Sequence, residues 1–143
     1  MTQEFKINEE ALNTLANISE ELNNATTEMN EQIKAVEQAL IKSSPGVSAW
    51  TDNYFTVSTN ERDSYYKIGF CRVKDDWRIV CQRFDTKEGY LHGRLMPLLY
   101  TQRIVRMEAV ALIDELIIKL TEKTQAFLND VESKKSMLST LDA

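Results

Sequence analysis

Residues 65–84, YYKIGFCRVKDDWRIVCQRF, decide the fold of this chain, because two runs of β-forming residues stand on either side of a short polar break. Residues 65–73 and 77–84 are rich in aromatic and β-branched side chains, which favour strands. The Lys-Asp-Asp segment at 74–76 has the length and polarity of a tight hairpin connection. We therefore expect two antiparallel strands here, and the rest of the fold is built around their hairpin.

A third strand is predicted upstream of this hairpin. Residues 50–58 include tyrosine, phenylalanine, threonine and valine, which all favour extended structure. The polar segment 59–63 then serves as a turn into the hairpin. Together these segments predict a three-stranded antiparallel β-meander over residues 50–84, followed by a loop at 85–93.

Long amphipathic helices are predicted on both sides of the meander. In residues 8–43 apolar side chains recur at spacings of three and four, which indicates one apolar face of a helix. Asn8 is the expected N-cap, and the Ser-Ser-Pro-Gly segment at 43–46 is the expected end. A second helix is expected over residues 95–139, with Pro97 in its first turn, where the missing N–H costs nothing.

The predicted fold class is α+β. Two long amphipathic helices, arranged as an antiparallel hairpin or a coiled-coil-like pair, flank the inserted meander within one domain, 1–143. Unbroken, the helices would be about 50 and 65 Å long, which is more than a compact chain of this size can cover by itself. The apolar stripe on residues 104–120 is wide enough for two neighbours. The sequence therefore predicts a homo-oligomer held together by the helices, and a two-fold homodimer is the commonest closed form.

Charge is distributed unevenly along the chain. The formal net charge of −5 divides into −5 in residues 1–44, +3 in residues 45–107 and −3 in residues 108–143. A basic segment interleaved with aromatic residues suits phosphate-bearing ligands, since arginine forks bind phosphate and aromatic rings stack on bases. The candidate ligand-binding residues are Arg72, Arg78, Arg83 and Arg94 as anion contacts and Trp50, Tyr66 and Trp77 as stacking surfaces. In the alternative interpretation the aromatic residues are core and the cations pair with neighbouring acids.

The sequence contains no recognisable catalytic or metal-binding motif. His92 is the only histidine, and Cys71 and Cys81 lie within strand-like runs, where a free cysteine behaves as a small hydrophobe. No zinc-ligand spacing and no Gly-rich phosphate loop are present. We therefore predict no catalytic residue, no metal and no cofactor. The acidic start of the chain does not resemble a secretory signal, so we expect the two cysteines to be reduced thiols of a cytoplasmic protein. The lack of an apolar run of roughly 20 residues predicts no membrane partner.

These observations favour a non-enzymatic, homo-oligomeric binding or adaptor protein. Its basic, aromatic central sheet would recognise a protein partner or an anionic ligand, either a nucleotide or a nucleic acid. An alternative is a small acidic inhibitor, of the kind some phages encode, whose acidic first helix mimics nucleic acid and blocks a nucleic-acid-binding protein. A third hypothesis, a small enzyme, requires His92 or a carboxylate with a perturbed pKa in a cleft.

Overall fold

The computed structural model describes residues 6–43, 46–58, 63–85 and 95–141 of the 143-residue chain. The chain begins with helix α1, Glu9–Ser43. Five strands follow, which are β1 Ala49–Trp50, β2 Phe55–Ser58, β3 Asp63–Val73, β4 Asp76–Phe84 and β5 Met96–Pro97. The remaining elements are a 3-10 turn Leu98–Tyr100, helix α2 Arg103–Ala109, a second 3-10 turn Val110–Leu112 and helix α3 Ile113–Leu141.

The predicted hairpin is confirmed as the centre of the sheet. Strands β3 and β4 pair antiparallel from Tyr65 opposite Phe84 to Val73 opposite Asp76. Lys74, in the two-residue connection, has a φ of 58°, the left-handed backbone conformation that such tight turns need. The start of α1 is also as expected, because the Ala11 N–H donates to the Asn8 side-chain oxygen at 2.9 Å.

The three-stranded meander is wrong, because the sheet has five antiparallel strands in the order β1-β3-β4-β5, with β2 also pairing with β3. The segment predicted as one strand at 50–58 is divided by a bend at Asp52 and Asn53. The fifth strand comes from the start of the segment predicted as helix. There Pro97 lies opposite Val80 on an edge strand, where a residue without an N–H is tolerated.

The single second helix predicted at 95–139 is also wrong. Its first 18 residues contain β5, the two 3-10 turns and α2, and the long helix α3 begins only at Ile113. The physical reason is packing against the sheet. The broken segment buries Leu98, Val105 and Ala109 in the core together with Leu116 of α3. Part of the wide apolar stripe therefore covers the sheet of the same chain.

One face of the sheet carries the core. Side chains alternate along a strand, so Ile68 and Phe70 of β3 and Ile79 and Cys81 of β4 point to the same side. Three of these four side chains are completely buried, and Cys81 nearly so. Residues of all three helices pack against this side of the sheet.

The predicted antiparallel helical hairpin is wrong as well. Two grooves separate α1 from the second helical segment: one joins Ile33 to Ile113 and the other joins Leu40 to Leu120. Since residue numbers rise together on both sides, α1 and α3 run in the same direction. The chain between them forms the sheet and α2 and does not make a helix–helix turn. The N-terminal half of α1 and the C-terminal half of α3 consequently project from opposite ends of the helical layer.

Candidate binding surface

The side of the sheet that faces away from the helices is the candidate binding surface, and we call it the outer face. Its accessible part consists of aromatic and cationic side chains together with one cysteine, and the register also places the buried Val80 and Gln82 on it. The accessible members are Trp50, Tyr54, Tyr65, Lys67, Cys71, Arg78, Phe84 and Tyr100. Seven of these residues are half-buried, and Tyr100 is 67% exposed.

Trp50 lies flat on the backbone of β3 at Gly69, its partner in the β1–β3 pairing. A Cβ atom added to Gly69 would lie 2.5 Å from a carbon of the Trp50 ring, a distance that real Cβ atoms do not show. Glycine is therefore required at position 69 for a close approach and not for its backbone angle. The contact fixes the indole at the β1 edge of the outer face.

The turn after Trp50 is held to helix α3. Asp52 forms an ion pair with Lys119, and the Asn53 backbone N–H donates to the Glu115 carboxylate at 3.3 Å. The Lys119 ammonium, by hydrogen bond and charge, lowers the pKa of Asp52. Asp52 in turn raises the pKa of Lys119. These contacts position Trp50 from the helical side of the protein.

Cations lie over aromatic rings at two places on the outer face. Lys67 Nζ lies 4.5 Å from the Tyr54 ring centroid, and the Arg78 guanidinium lies 5.3 Å from that of Tyr100. Tyr54 also meets Phe84 edge to face, with centroids 5.3 Å apart. Exposed aromatic and arginine side chains in this arrangement have the composition of interaction hot spots.

A pocket opens beside Trp50, where β1 meets α3. Its volume is about 330 Å³, and it is lined by Ala49, Trp50, Lys119, Glu122 and Lys123. Neither lysine was predicted as a site residue, because both lie about 70 residues from Trp50 on an ordinary amphipathic helix. No local sequence signal places them beside the indole.

The predicted ligand-binding residues divide between the two faces of the sheet. Trp50 and Arg78 lie on the outer face, whereas Arg72, Arg83, Tyr66 and Trp77 lie on the helix side by strand register. Tyr66 stacks on Phe55 with ring centroids 5.2 Å apart, and Trp77 stacks on Phe70 at 5.4 Å. The exposed Arg72 side chain pairs with Asp75 at 3.7 Å. Arg94 lies outside the described residues, so the structure places two of the seven on the outer face.

The two cysteines are free and lie on opposite faces of the sheet. Burial raises the pKa of the Cys81 thiol to about 12, and it also raises the pKa of Cys71.

His92 lies outside the described residues. Within the described part of the chain, no group of three His, Cys, Asp or Glu residues is placed to hold a metal ion. No helix in that same part is long and apolar enough to span a bilayer.

The two thiols are expected to differ in reactivity. At pH 8 a pKa of about 12 leaves roughly one Cys81 thiol in ten thousand ionised, and only the thiolate is nucleophilic. A disulfide reagent such as DTNB should therefore modify the half-buried Cys71 first and Cys81 only after denaturation. In Cys71→Ser the native protein should show no early reaction. Two thiols reacting at equal rates in native protein would contradict this assignment.

Comparisons with known proteins give no match, whether with protein-family models, with curated proteins or with solved structures.

Proposed function

We propose that this protein is a non-enzymatic, homo-oligomeric binding or adaptor protein and that the outer face is its recognition surface. One observation carries the proposal: the helices pack on one side of the sheet and leave half-exposed aromatic side chains, with cations over two of them, on the other. A cytoplasmic location is part of the proposal, supported by two free cysteines in adjacent strands.

A protein partner suits this surface better than a nucleic acid. Lys67 and Arg78 are the cations that the register puts on the outer face of β3 and β4, apart from the turn residue Lys74. Nucleic-acid binding draws most of its affinity from several phosphate contacts, which two cations supply poorly. Aromatic and arginine side chains, by contrast, are enriched in the central part of protein interfaces. We therefore place a protein partner first.

A nucleotide is the second candidate ligand, and the pocket beside Trp50 favours it. An indole ring and the Lys123 ammonium line the same space, which suits a base and a phosphate. Lys119 contributes less charge there, because Asp52 already pairs with it, and the carboxylate of Glu122 in the same lining opposes a phosphate. A nucleotide titration followed by tryptophan fluorescence, repeated with Lys123→Ala, tests this candidate directly.

Trp50→Ala is expected to weaken binding of the partner by 10-fold or more, because a buried aromatic anchor at an interface contributes about 2 kcal/mol or more. The partner is obtained by placing a photo-crosslinking residue at Tyr54 or Tyr100 in expressing cells. Binding of the identified partner is then measured by calorimetry. The matched control is Ile118→Ala, an exposed apolar residue on α3 outside the outer face, which should bind normally. Equal crosslinking from Ile118 and Tyr100 would count against the outer face.

The acidic-inhibitor alternative has an observation of its own. Residues 9–31 contain six glutamates and no lysine or arginine, and the described side chains of these glutamates are exposed. If mimicry of nucleic acid is the function, the triple change Glu20→Lys, Glu21→Lys and Glu28→Lys should abolish inhibition while the fold is retained. Under the adaptor proposal the same change leaves partner binding at the outer face intact.

A further inference from the structure

Both projecting half-helices carry apolar side chains that nothing in the described protomer covers. On α1, Leu15 is 59% exposed, and on α3, Leu138 is 62% exposed. The other exposed apolar residues of the two halves are Leu12, Ile18, Leu22, Phe127, Leu128, Val131, Met137 and Leu141. Monomeric proteins rarely expose apolar surface of this extent, and such surface usually marks an interaction site.

The spacing of these residues is that of a coiled-coil seam. On α3, positions 117, 120, 124, 127, 131, 134, 138 and 141 alternate steps of three and four, and all but Thr124 and Lys134 are apolar. On α1, positions 15, 18, 22, 25 and 29 follow the same alternation and are all apolar. Each half-helix is therefore built to pack along another helix.

Length and charge make the two halves complementary to each other. Residues 9–28 and residues 122–141 each form 20 residues of helix, about 30 Å at 1.5 Å per residue. Residues 9–28 hold five glutamates without a cation, whereas residues 122–141 hold three lysines and three acids. The acidic half thus suits the half of α3 that carries three lysines and no net charge better than it suits a second acidic copy of itself.

The two halves of one chain cannot meet, because they project from opposite ends of the helical layer. A second copy resolves this. Since α1 and α3 run in the same direction, a two-fold axis perpendicular to them reverses the partner's helices. The partner's acidic half then lies antiparallel beside the free half of α3, and symmetry forms the contact twice. We propose that this protein is a two-fold dimer in which the N-terminal half of α1 packs antiparallel on the C-terminal half of α3 of the second copy.

One register pairs exposed apolar residues of the two half-helices at three levels along the contact. With Leu12 opposite Leu141, Leu15 falls opposite Leu138, and Leu22 falls opposite Val131. Lys134, the cation within the seam, then lies within one helical turn of Glu20. The same register puts the two-fold axis beside Val36 and Ile117, where the grooves of about 560 and 390 Å³ meet. The centre of the dimer would therefore also cover the grooves between the helices.

This inference specifies the assembly within the proposed function and rests on its homo-oligomeric part. The first test is sedimentation of Leu15→Asp combined with Leu22→Asp. The dimer dissociation constant is expected to rise about 100-fold or more, because two buried seam positions would each receive a charge. Both residues are exposed in the protomer, so circular dichroism and thermal unfolding should show that the sheet remains folded. Ile118→Asp, an exposed α3 residue outside the seam, should remain dimeric.

The second test fixes the direction of the contact. In a Cys71→Ser background, Leu12→Cys combined with Leu141→Cys should form a disulfide-linked dimer on oxidation, whereas Leu12→Cys alone should not. A wild-type monomer at tens of micromolar, a dimer that survives the aspartate changes, or efficient crosslinking through Leu12→Cys alone would each overturn the inference. Partner binding is measured separately on the monomeric variant. If the wild-type protein is a dimer and the monomeric variant no longer binds the partner, recognition depends on assembly. If Trp50→Ala does not weaken partner binding, that result contradicts the outer-face proposal and leaves the dimer unaffected.

Discussion

Replacing Gly69 with valine is expected to lower the free energy of unfolding by about 2–3 kcal/mol and to remove binding at the outer face. The Cβ atom alone would lie 2.5 Å from the ring of Trp50, and the two γ-methyl groups would extend further into the same space. The indole must therefore leave the strand. Its departure removes the packing of Trp50 on β3, which lowers stability, and displaces Trp50 from the outer face, which removes binding.

Urea denaturation, followed by the fluorescence of the two tryptophans, measures this effect. The decisive control is the double variant Trp50→Ala with Gly69→Val. Because the steric conflict exists only while the indole is present, the valine should cost far less stability in the Trp50→Ala background. Gly69→Ala should give a smaller loss in the same direction. Additive losses in the double variant would show that Trp50 does not lie on Gly69.

The parts of the fold that were predicted correctly depend on neighbours in sequence. The hairpin at 65–84 follows from strand propensity on both sides of a polar turn. Helix α1 and its Asn8 cap follow from apolar spacing and from one side-chain oxygen. Each of these signals acts over a few residues, so the element that it specifies can be predicted from the local sequence alone.

The parts that were predicted wrongly depend on contacts between distant segments. Strand β5 exists because Met96 and Pro97 meet the edge of β4, and β1 exists because residues 49–50 meet β3 at Gly69 and Phe70. The direction of α3 relative to α1 is set by a sheet that covers both helices. An apolar stripe indicates that one face of a helix is buried. It does not indicate which element covers that face or in which direction the helix runs.

The candidate surface was predictable to the same degree. Aromatic and cationic residues in the central segment indicated a recognition sheet, but their division between its faces follows the strand register. Arg78 can be assigned to the outer face and Arg83 to the helix side only when it is known which face of the sheet the helices cover. Lys119 and Lys123 reach Trp50 from a distant helix. Glu37 is the clearest example of a residue whose role the sequence does not indicate. Its helix suggests a solvated acidic face, but the Glu37 side chain is only 4% exposed.

Glu37 connects helix α1 to the sheet. Its Oε2 accepts a hydrogen bond of 3.0 Å from the Ile79 backbone N–H of β4. Strand β5 pairs with β4 only at Val80 and Cys81, so Ile79 lies just beyond the end of that ladder. A buried backbone N–H must find an acceptor, and the helix supplies one where the neighbouring strand has ended.

Glu37→Ala is expected to lower the free energy of unfolding by about 1–3 kcal/mol, because it leaves a buried N–H without an acceptor. Glu37→Gln keeps a side-chain oxygen and should lose less. Glu31→Ala removes an exposed glutamate from the same helix and should change stability by less than about 0.5 kcal/mol. Urea denaturation gives the three energies, and hydrogen exchange at the Ile79 amide should accelerate in Glu37→Ala beyond the change in global stability. Equal stability of the Glu37→Ala and Glu31→Ala proteins would mean that α1 is not anchored to β4 through this carboxylate.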